Sequence, residues 1–216
     1  MGQARGMGIH ESQSLFFEMQ VCRSRGFVEW AAPQLKDHFG GAGSAWTVEN
    51  LQRIYHRVER GLIRVDADEV TYPCHVIMRF ELEQALMSGD LKVADLPDAW
   101  NQKMEQLLGV RPDTDAMGCM QDIHWMDGAV GYFPSYTLGA LFAAQLFNAA
   151  EAEMGGLDDQ FRQGTFAPVV SWLGEKIHSQ GSRWTTDELM QRATGAPLSA
   201  DAFLEHVRSR YLRGER

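Results

Sequence analysis

A dense group of polar side chains stands near the start of the sequence, in the stretch His10-Glu11-Ser12-Gln13. Apolar residues follow at the spacing of one helical face: Leu15, Phe16, Met19 and Cys22. We therefore expect Glu11 in the first turn of a helix. There it either interacts with the helix dipole, or binds a metal or acts in catalysis with His10 or Gln13 supporting it. These four residues alone leave both interpretations open.

A single arginine, Arg64, stands in the short apolar stretch Leu62–Val65, and Asp66 and Asp68 follow closely. The planar guanidinium of arginine is a well-matched partner for a carboxylate. One interpretation is an ion pair between Arg64 and Asp68, which would tie this stretch to the helix that follows it.

Residues 117–131 show no clean periodicity and mix glycines with polar and aromatic side chains. A loop of this kind between apolar helices is where a rigid scaffold commonly presents function. His124, close to Asp122, could donate a hydrogen bond to developing negative charge, or the pair could simply stabilise the loop. Tyr136, or Tyr132 one helical turn earlier, could supply a phenolic donor, and packing is the alternative role for either ring.

The elements that must position these residues are predicted to be helices. Periodicity, caps and breakers predict them over 8–25, 27–39, 48–60, 66–88, 97–109 and 134–154. Thr47 can cap the helix that starts at position 48. Thr185 and Glu188 have the spacing of a capping box, and Ser199 can cap the final helix. A short β-ribbon is expected at most near Leu62–Val65 and Leu91–Val93. We therefore predict an all-α fold in which residues 1–216 form a single helical domain.

Composition narrows the class of protein. The 216 residues are 44% hydrophobic and 23% charged, which is enough for a sizeable core. The net charge is -9 and no basic stripe is present, so we expect no nucleic-acid binding. No run approaches the roughly 18 apolar residues of a membrane span. Three widely spaced cysteines, Cys22, Cys74 and Cys119, are typical of reduced thiols, so we expect a cytoplasmic protein.

Three multi-residue blocks occur in a fixed order along the chain: His10–Gln13, Ile63–Asp68 and Gly118–Trp125. They resemble the motifs HESQ, I/V-RxxAD and GxxQDxHW of the thermostable zinc carboxypeptidases known as the carboxypeptidase Taq family. The stretch Gly131–Gly139 is also similar to that family. Each block alone is a weak signal, but three in sequence make a specific resemblance that covers most of the chain.

The resemblance implies the fold of a helical zincin-type metallocarboxypeptidase, in which an HExxH helix supplies two zinc-binding histidines. Glu11 would be the third zinc ligand, supported by His10, Ser12 and Gln13. This chain has no HExxH, because Ser14 stands where the second histidine would be needed. We therefore expect the C-terminal part of such an enzyme. Zinc, or another divalent metal, is expected in the full-length enzyme and is not expected to bind tightly to this chain alone.

The resemblance also implies roles in the other two blocks. Arg64, Gln121 and Asp122 would bind the peptide substrate, with Arg64 facing the terminal carboxylate, so substrate contact and the ion pair with Asp68 both stay open. His124 and Tyr136 would be catalytic.

The expected function is release of C-terminal amino acids from peptides by a metallocarboxypeptidase, with this chain alone expected to be inactive. The alternative is a non-catalytic helical module, derived from that family, which binds peptides or mediates assembly. A third possibility is that Met1 is internal to a longer protein. Homodimers or other self-association are expected in each case.

Overall fold

The computed structural model describes residues 2–214, which fold as helices joined by turns and contain no strand. The helices are α1 Met7–Leu15, α2 Arg25–His38, α3 Val48–Tyr55, α4 Tyr72–Ser88, α5 Leu96–Leu108, α6 Pro134–Met154, α7 Leu157–Arg162, α8 Ala167–Lys176, α9 Thr186–Thr194 and α10 Asp201–Val207. Wider π-type turns extend α1 over Phe16–Val21 and α10 over Arg208–Arg213. The all-α prediction is confirmed. Within the described residues, no helix has the length and apolar composition needed to cross a membrane.

The chain forms two compact units, and each is described by itself. The first unit contains the residues up to Arg57 and those from Leu138 onward, and the second unit is Val58–Thr137. The opening residues of α6, through Thr137, therefore belong to the second unit. The assignment of residues 1–216 to a single domain stays a prediction.

The core of the first unit is built on α6, whose apolar residues are buried over two faces. Large side chains from α6 and its neighbours fill the core, including Phe16, Phe142, Leu146, Phe161 and Leu173. Small residues let other helices approach the α6 backbone, among them Gly139, Ala140 and Ala144. Helices can approach this closely only where the side chains between them are small, and the glycine and alanines of α6 meet that requirement.

The second unit is organised around the pair α4 and α5. Their shared core consists of Met78, Leu82, Trp100, Met104 and Leu108. Pro73 and Pro97 lie in the first turns of the two helices, where a missing backbone N–H removes no helical hydrogen bond. Both helices end at a glycine with a positive φ, 85° at Gly89 and 69° at Gly109.

Several predicted boundaries differ from the observed ones. The expected ribbon is wrong: its two stretches lead into single 3₁₀ turns at Arg64–Asp66 and Val93–Asp95. The helix predicted from position 66 begins at Tyr72 instead. The reason is the Asp68 carboxylate, which accepts hydrogen bonds from the backbone N–H groups of Val70 and Thr71 and so fixes a turn before the helix.

Two predicted helix caps are confirmed and a third is not. The Thr47 hydroxyl accepts from the backbone N–H of Asn50, and Thr185 with Glu188 forms a complete capping box. No side-chain cap is found on α10, whose first flanking residue is Ala200. Ser199 instead bonds the side chain and backbone N–H of Asp201, which is a local turn.

Candidate functional site

Glu11 lies in the second turn of α1. The helix begins at Met7, one residue earlier than predicted, and its first turn contains no acidic residue. Ile9 lies in the buried core of the first unit, so the apolar face extends further toward the N-terminus than the residues after Glu11 indicate. The first-turn position expected for Glu11 is therefore wrong by one residue.

The backbone around Glu11 is fixed by close contact with α6. A Cβ atom added to Gly139 would lie 2.8 Å from the Cβ of Glu11 and 3.1 Å from Cδ1 of Leu15. Gly8 makes a second close approach, since a Cβ there would lie 3.1 Å from the Phe142 ring. Two glycines thus let α1 and α6 pack almost backbone to backbone, and this packing positions Glu11.

The residues beside Glu11 form a short hydrogen-bonded chain. The buried Ser12 hydroxyl donates to the carbonyl of Ile9 at 2.7 Å and accepts from the Gln13 amide at 2.9 Å. Gln13 also bonds the ring of His178 through its Oε1, at 2.8 Å. His10 is exposed and lines, with Gln13 and His178, a groove of about 420 Å³. No pattern in the sequence indicated a role for His178, which is distant along the chain.

The second unit contains a stripe of polar residues on one face of α4. Tyr72, His75, Arg79 and Glu83 recur at intervals of three or four residues, so they share a helical face. His75, Arg79 and Glu83 are buried. Sequence reasoning missed Tyr72, Arg79 and Glu83 as site residues. Their i, i+4 spacing was the available signal, but such spacing is more commonly a solvated face.

One carboxylate, Asp122, bridges two arginines. Oδ1 of Asp122 accepts from Nε and Nη2 of Arg64 at 3.0 and 2.8 Å, and Oδ2 accepts from Nε of Arg79 at 2.7 Å. Arg64 is 5% exposed and Arg79 is fully buried. Nη1 of Arg64 donates to the Tyr72 hydroxyl at 2.5 Å. The partner of Arg64 is therefore Asp122, and the ion pair with Asp68 is not formed because backbone and Thr71 groups occupy that carboxylate.

Gln121 joins the loop to the stretch that carries Arg64. Its Oε1 accepts from the backbone N–H of Arg64 at 2.8 Å, and its Nε2 donates to the carbonyl of Leu62 at 3.1 Å. The same Nε2 lies within hydrogen-bond distance of the carbonyls of Met117 and Gly118. Gln121 thus fixes the backbone of Arg64, while Asp122 fixes its side chain.

His124 and Tyr136, both predicted from the sequence, are hydrogen-bonded to each other. Nε2 of His124 lies 3.0 Å from the Tyr136 hydroxyl, and its Nδ1 lies 3.8 Å from Oδ1 of Asp122, beyond hydrogen-bond distance. The His124 ring packs on Phe133, with centroids 4.4 Å apart, and lies 5.7 Å from the ring of Tyr132. The second unit therefore brings Arg64, Gln121, Asp122, His124 and Tyr136 into one cluster.

Burial and the two guanidiniums set the protonation states in this cluster. Burial opposes ionisation of Asp122, but hydrogen bonds and charge from Arg64 and Arg79 hold its pKa below the usual range. Burial, followed by the charge of Arg64, lowers the pKa of His124. Burial, Arg79 and Arg64 lower the pKa of His75 to about 4, although Asp122 and the Gly61 backbone act in the opposite direction. Both imidazoles are therefore neutral at pH 7.

No group of three His, Cys, Asp or Glu side chains within residues 2–214 has an arrangement that could hold a metal ion. A catalytic zinc site needs three protein ligands and one open position. The described residues alone therefore do not fit a complete catalytic metal site.

A family model and two relatives of known name all match nearly the whole chain. Residues 1–211 match the family model described as carboxypeptidase Taq (M32) metallopeptidase. The chain is 45% identical to thermostable carboxypeptidase 1 of Thermus thermophilus, and the match covers 97% of the chain and 41% of that relative. It is 38% identical to carboxypeptidase 1 of Bacillus subtilis, covering 98% of the chain and 42% of that relative. The chain thus spans about two fifths of the length of these relatives.

Solved structures give the same result. Metallocarboxypeptidase 1 of Trypanosoma cruzi superposes with a TM-score of 0.93 at 45% identity, over 97% of this chain and 44% of that structure. The M32 carboxypeptidase of Deinococcus radiodurans superposes with a TM-score of 0.92 at 42% identity, over 98% of this chain and 43% of that structure. On the sequence match over residues 1–211 and these superpositions, the chain belongs to the carboxypeptidase Taq (M32) metallopeptidase family.

Proposed function

We propose that this chain is part of a zinc-dependent metallocarboxypeptidase that releases single amino acids from the C-termini of peptides. The observation that carries the proposal is the similarity to Trypanosoma cruzi metallocarboxypeptidase 1, with a TM-score of 0.93 over 97% of the chain. Family membership implies a divalent metal, and zinc is the metal that we propose.

Glu11 is the proposed metal ligand in this chain, with His10, Ser12 and Gln13 supporting it. A glutamate oxygen is an ordinary zinc ligand. The close packing of α1 on α6 at Gly139 supports this role, because it fixes the backbone from which the carboxylate projects. Since residues 2–214 contain no complete ligand group, the remaining ligands in this proposal come from outside the described residues.

The second unit is the proposed substrate-binding part, with Arg64, Gln121 and Asp122 as its residues. Two guanidiniums share one carboxylate there, which leaves the group with an excess positive charge that favours a peptide's terminal carboxylate. The hydrogen bonds of Arg64 to Asp122 and Tyr72 use three of the five N–H groups on its guanidinium, so donors remain for a ligand.

His124 and Tyr136 are the proposed catalytic donors. A neutral imidazole donates through one nitrogen only, and the hydrogen bond with Tyr136 contributes to which nitrogen carries the proton. Because the pKa of His124 is lowered, the ring stays neutral at pH 7 and does not compete with Arg64 for a substrate carboxylate. A positioned donor of this kind can stabilise negative charge that develops on a carbonyl oxygen.

The test compares the release of amino acids by two proteins from peptides with a blocked N-terminus and a free C-terminus. The 216-residue chain alone is expected to release no measurable amino acid, and the longest gene product that contains it is expected to show release that a chelator abolishes. In that product, Glu11→Gln should lower the rate by about a hundredfold or more. Glu18→Gln, at an exposed position paired with Arg23, is the matched control. Unchanged chelator-sensitive release by Glu11→Gln would contradict the assignment.

We also propose that the protein is cytoplasmic and self-associates. The free thiols of Cys22, Cys74 and Cys119 support a reducing compartment. Exposed apolar side chains in the 117–131 loop support self-association, among them Met120, Ile123 and Met126. Sedimentation velocity that finds only monomers at micromolar concentration would contradict the second proposal.

A further inference from the structure

Glu83 holds the 117–131 loop at two points. Its Oε2 accepts from the indole Nε1–H of Trp125 at 2.6 Å, and its Oε1 accepts from the backbone N–H of Gly131 at 2.6 Å. The Glu83 side chain lies on α4 and the residue is 7% exposed. A buried carboxylate that accepts one N–H bond on each oxygen is a satisfied group, and both bonds are charge-assisted.

Both points held by Glu83 lie on the C-terminal side of His124. Trp125 is the next residue along the chain, and Gly131 precedes the ring residues Tyr132 and Phe133. The Trp125 ring also packs edge-on against Trp100 of α5 and against Phe133, at centroid distances of 6.4 and 5.9 Å. These contacts orient Trp125, and so the backbone on which His124 is carried.

Asp122 supplies the third attachment of the same loop, through Arg79. Arg79 and Glu83 are one helical turn apart on α4, so one rigid helix holds the loop on both sides of His124. Between these attachments several side chains are exposed, including Ile123 and Met126. Two charged residues of α4 therefore hold this loop on either side of His124.

From this geometry we propose that Glu83 is a positioning residue for His124. The inference rests on the proposed function only for its catalytic consequence, since the attachment of the loop is a separate claim. Glu83 does not bind substrate in this proposal. It sets the distance from His124 to Tyr136 and the placement of the imidazole on Phe133.

Glu83→Gln tests the attachment with little change of volume. A glutamine retains one acceptor oxygen but turns an NH₂ group toward the other N–H donor, so one of the two bonds is lost. The matched control is Glu81→Gln, which lies two residues away on an exposed face of α4 and pairs with Lys103.

The first readout is nuclear magnetic resonance of the 216-residue chain. The Trp125 indole proton, assigned with Trp125→Phe, is expected to resonate far downfield in the wild type and in Glu81→Gln, and to move upfield in Glu83→Gln. The titration of the His124 ring is expected to move toward the ordinary histidine pKa of about 6.5 in Glu83→Gln and to stay unchanged in Glu81→Gln. The charged and titratable groups around this ring are Arg64, Arg79, Glu83, Asp122, Asp127, Tyr132 and Tyr136.

Trp125→Phe is the second variant, and it keeps the test decisive if Glu83→Gln does not fold. It removes one donor and leaves the Glu83 bond to Gly131 in place, so the His124 titration should shift in the same direction by a smaller amount. An unchanged His124 titration and an unchanged His124–Tyr136 contact in the folded variants would overturn the proposal.

The second readout is catalysis by the longest gene product that contains the chain. Glu83→Gln should lower kcat about tenfold with KM changed less than about twofold, because a misplaced donor affects the transition state more than binding. His124→Ala should lower kcat further. If His124→Ala leaves kcat unchanged, His124 is not catalytic. The resonance measurements still test whether Glu83 holds the 117–131 loop. If His124→Ala is inactive and Glu83→Gln is fully active, Glu83 does not position His124.

Discussion

The two units position their candidate residues by opposite means. In the first unit, Glu11 is placed by the near absence of side-chain volume, because α1 lies against Gly139 of α6. In the second unit, Arg64 is placed by charge, through Asp122 and the neighbouring Arg79. A position set by packing tolerates a change of charge nearby but no added volume. A position set by ion pairs tolerates small changes of shape but no missing charge.

The largest expected effect comes from removing the shared charge of the second unit. Asp122→Ala leaves two buried guanidiniums without their carboxylate, and breaking a buried ion pair in this way costs about 3–5 kcal/mol of unfolding free energy. Urea denaturation of the 216-residue chain measures it. Asp127→Ala, at an exposed position in the same loop, is the control and should change stability by less than about 0.5 kcal/mol. A loss below about 1 kcal/mol for Asp122→Ala would show that charge does not hold this unit together.

A second effect is the pH dependence of stability that buried His75 gives to the second unit. The pKa of buried His75 is lowered to about 4, so below its ordinary value of about 6.5 the unfolded chain binds a proton that the folded chain does not. Stability is therefore complete above pH 6.5 and falls between pH 6.5 and 4, by up to about 3 kcal/mol. Asp122 acts in a different window: its lowered pKa makes its contribution disappear only below about pH 4.

Urea denaturation at pH 7, 6, 5 and 4 measures this dependence. His75→Met should flatten the curve between pH 6.5 and 4, since the titrating group is gone. His178→Gln, at an exposed histidine of the first unit, should leave the curve unchanged. Equal slopes in wild type and His75→Met would assign the pH dependence to other groups.

The same contrast decides how much the sequence could predict. Helix periodicity and turn residues predicted the main helices, and the three motif blocks indicated Glu11, Arg64 and His124 as candidate site residues. The pairing of Arg64 with Asp122 was not predictable, because the two residues stand 58 positions apart and no local pattern links them. Asp68, four positions from Arg64, was the nearer candidate, but local backbone groups occupy its carboxylate.

Arg79 and Glu83 show a second reason for a missed residue. Their spacing on α4 is visible in the sequence, yet charged residues four apart on a helix are ordinarily solvated. Only the structure shows that this face of α4 is buried beneath the 117–131 loop of its own unit. The loop has no periodicity from which its path could be inferred, so the burial of its partners could not be inferred either.

The smallest expected effect tests packing in the first unit. Gly139→Ala places a Cβ 2.8 Å from the Cβ of Glu11 and 3.2 Å from its backbone carbonyl carbon, so α1 must shift away from α6. Overpacking of this kind costs about 1–3 kcal/mol, against a helix-propensity gain of about 1 kcal/mol for replacing glycine. Gly174→Ala is the matched control, because Gly174 lies inside α8 with no atom within 4 Å of an added Cβ.

The control should gain about 0.5–1 kcal/mol in urea denaturation, while Gly139→Ala should lose stability or gain none. In the longest gene product, Gly139→Ala should also lower chelator-sensitive release of amino acids, since it moves the backbone that carries Glu11, and Gly174→Ala should leave that release unchanged. A gain from Gly139→Ala equal to that of the control would mean that α1 and α6 adapt without cost. The claim that packing positions Glu11 in the first unit would then be wrong, and with it the contrast between the two units.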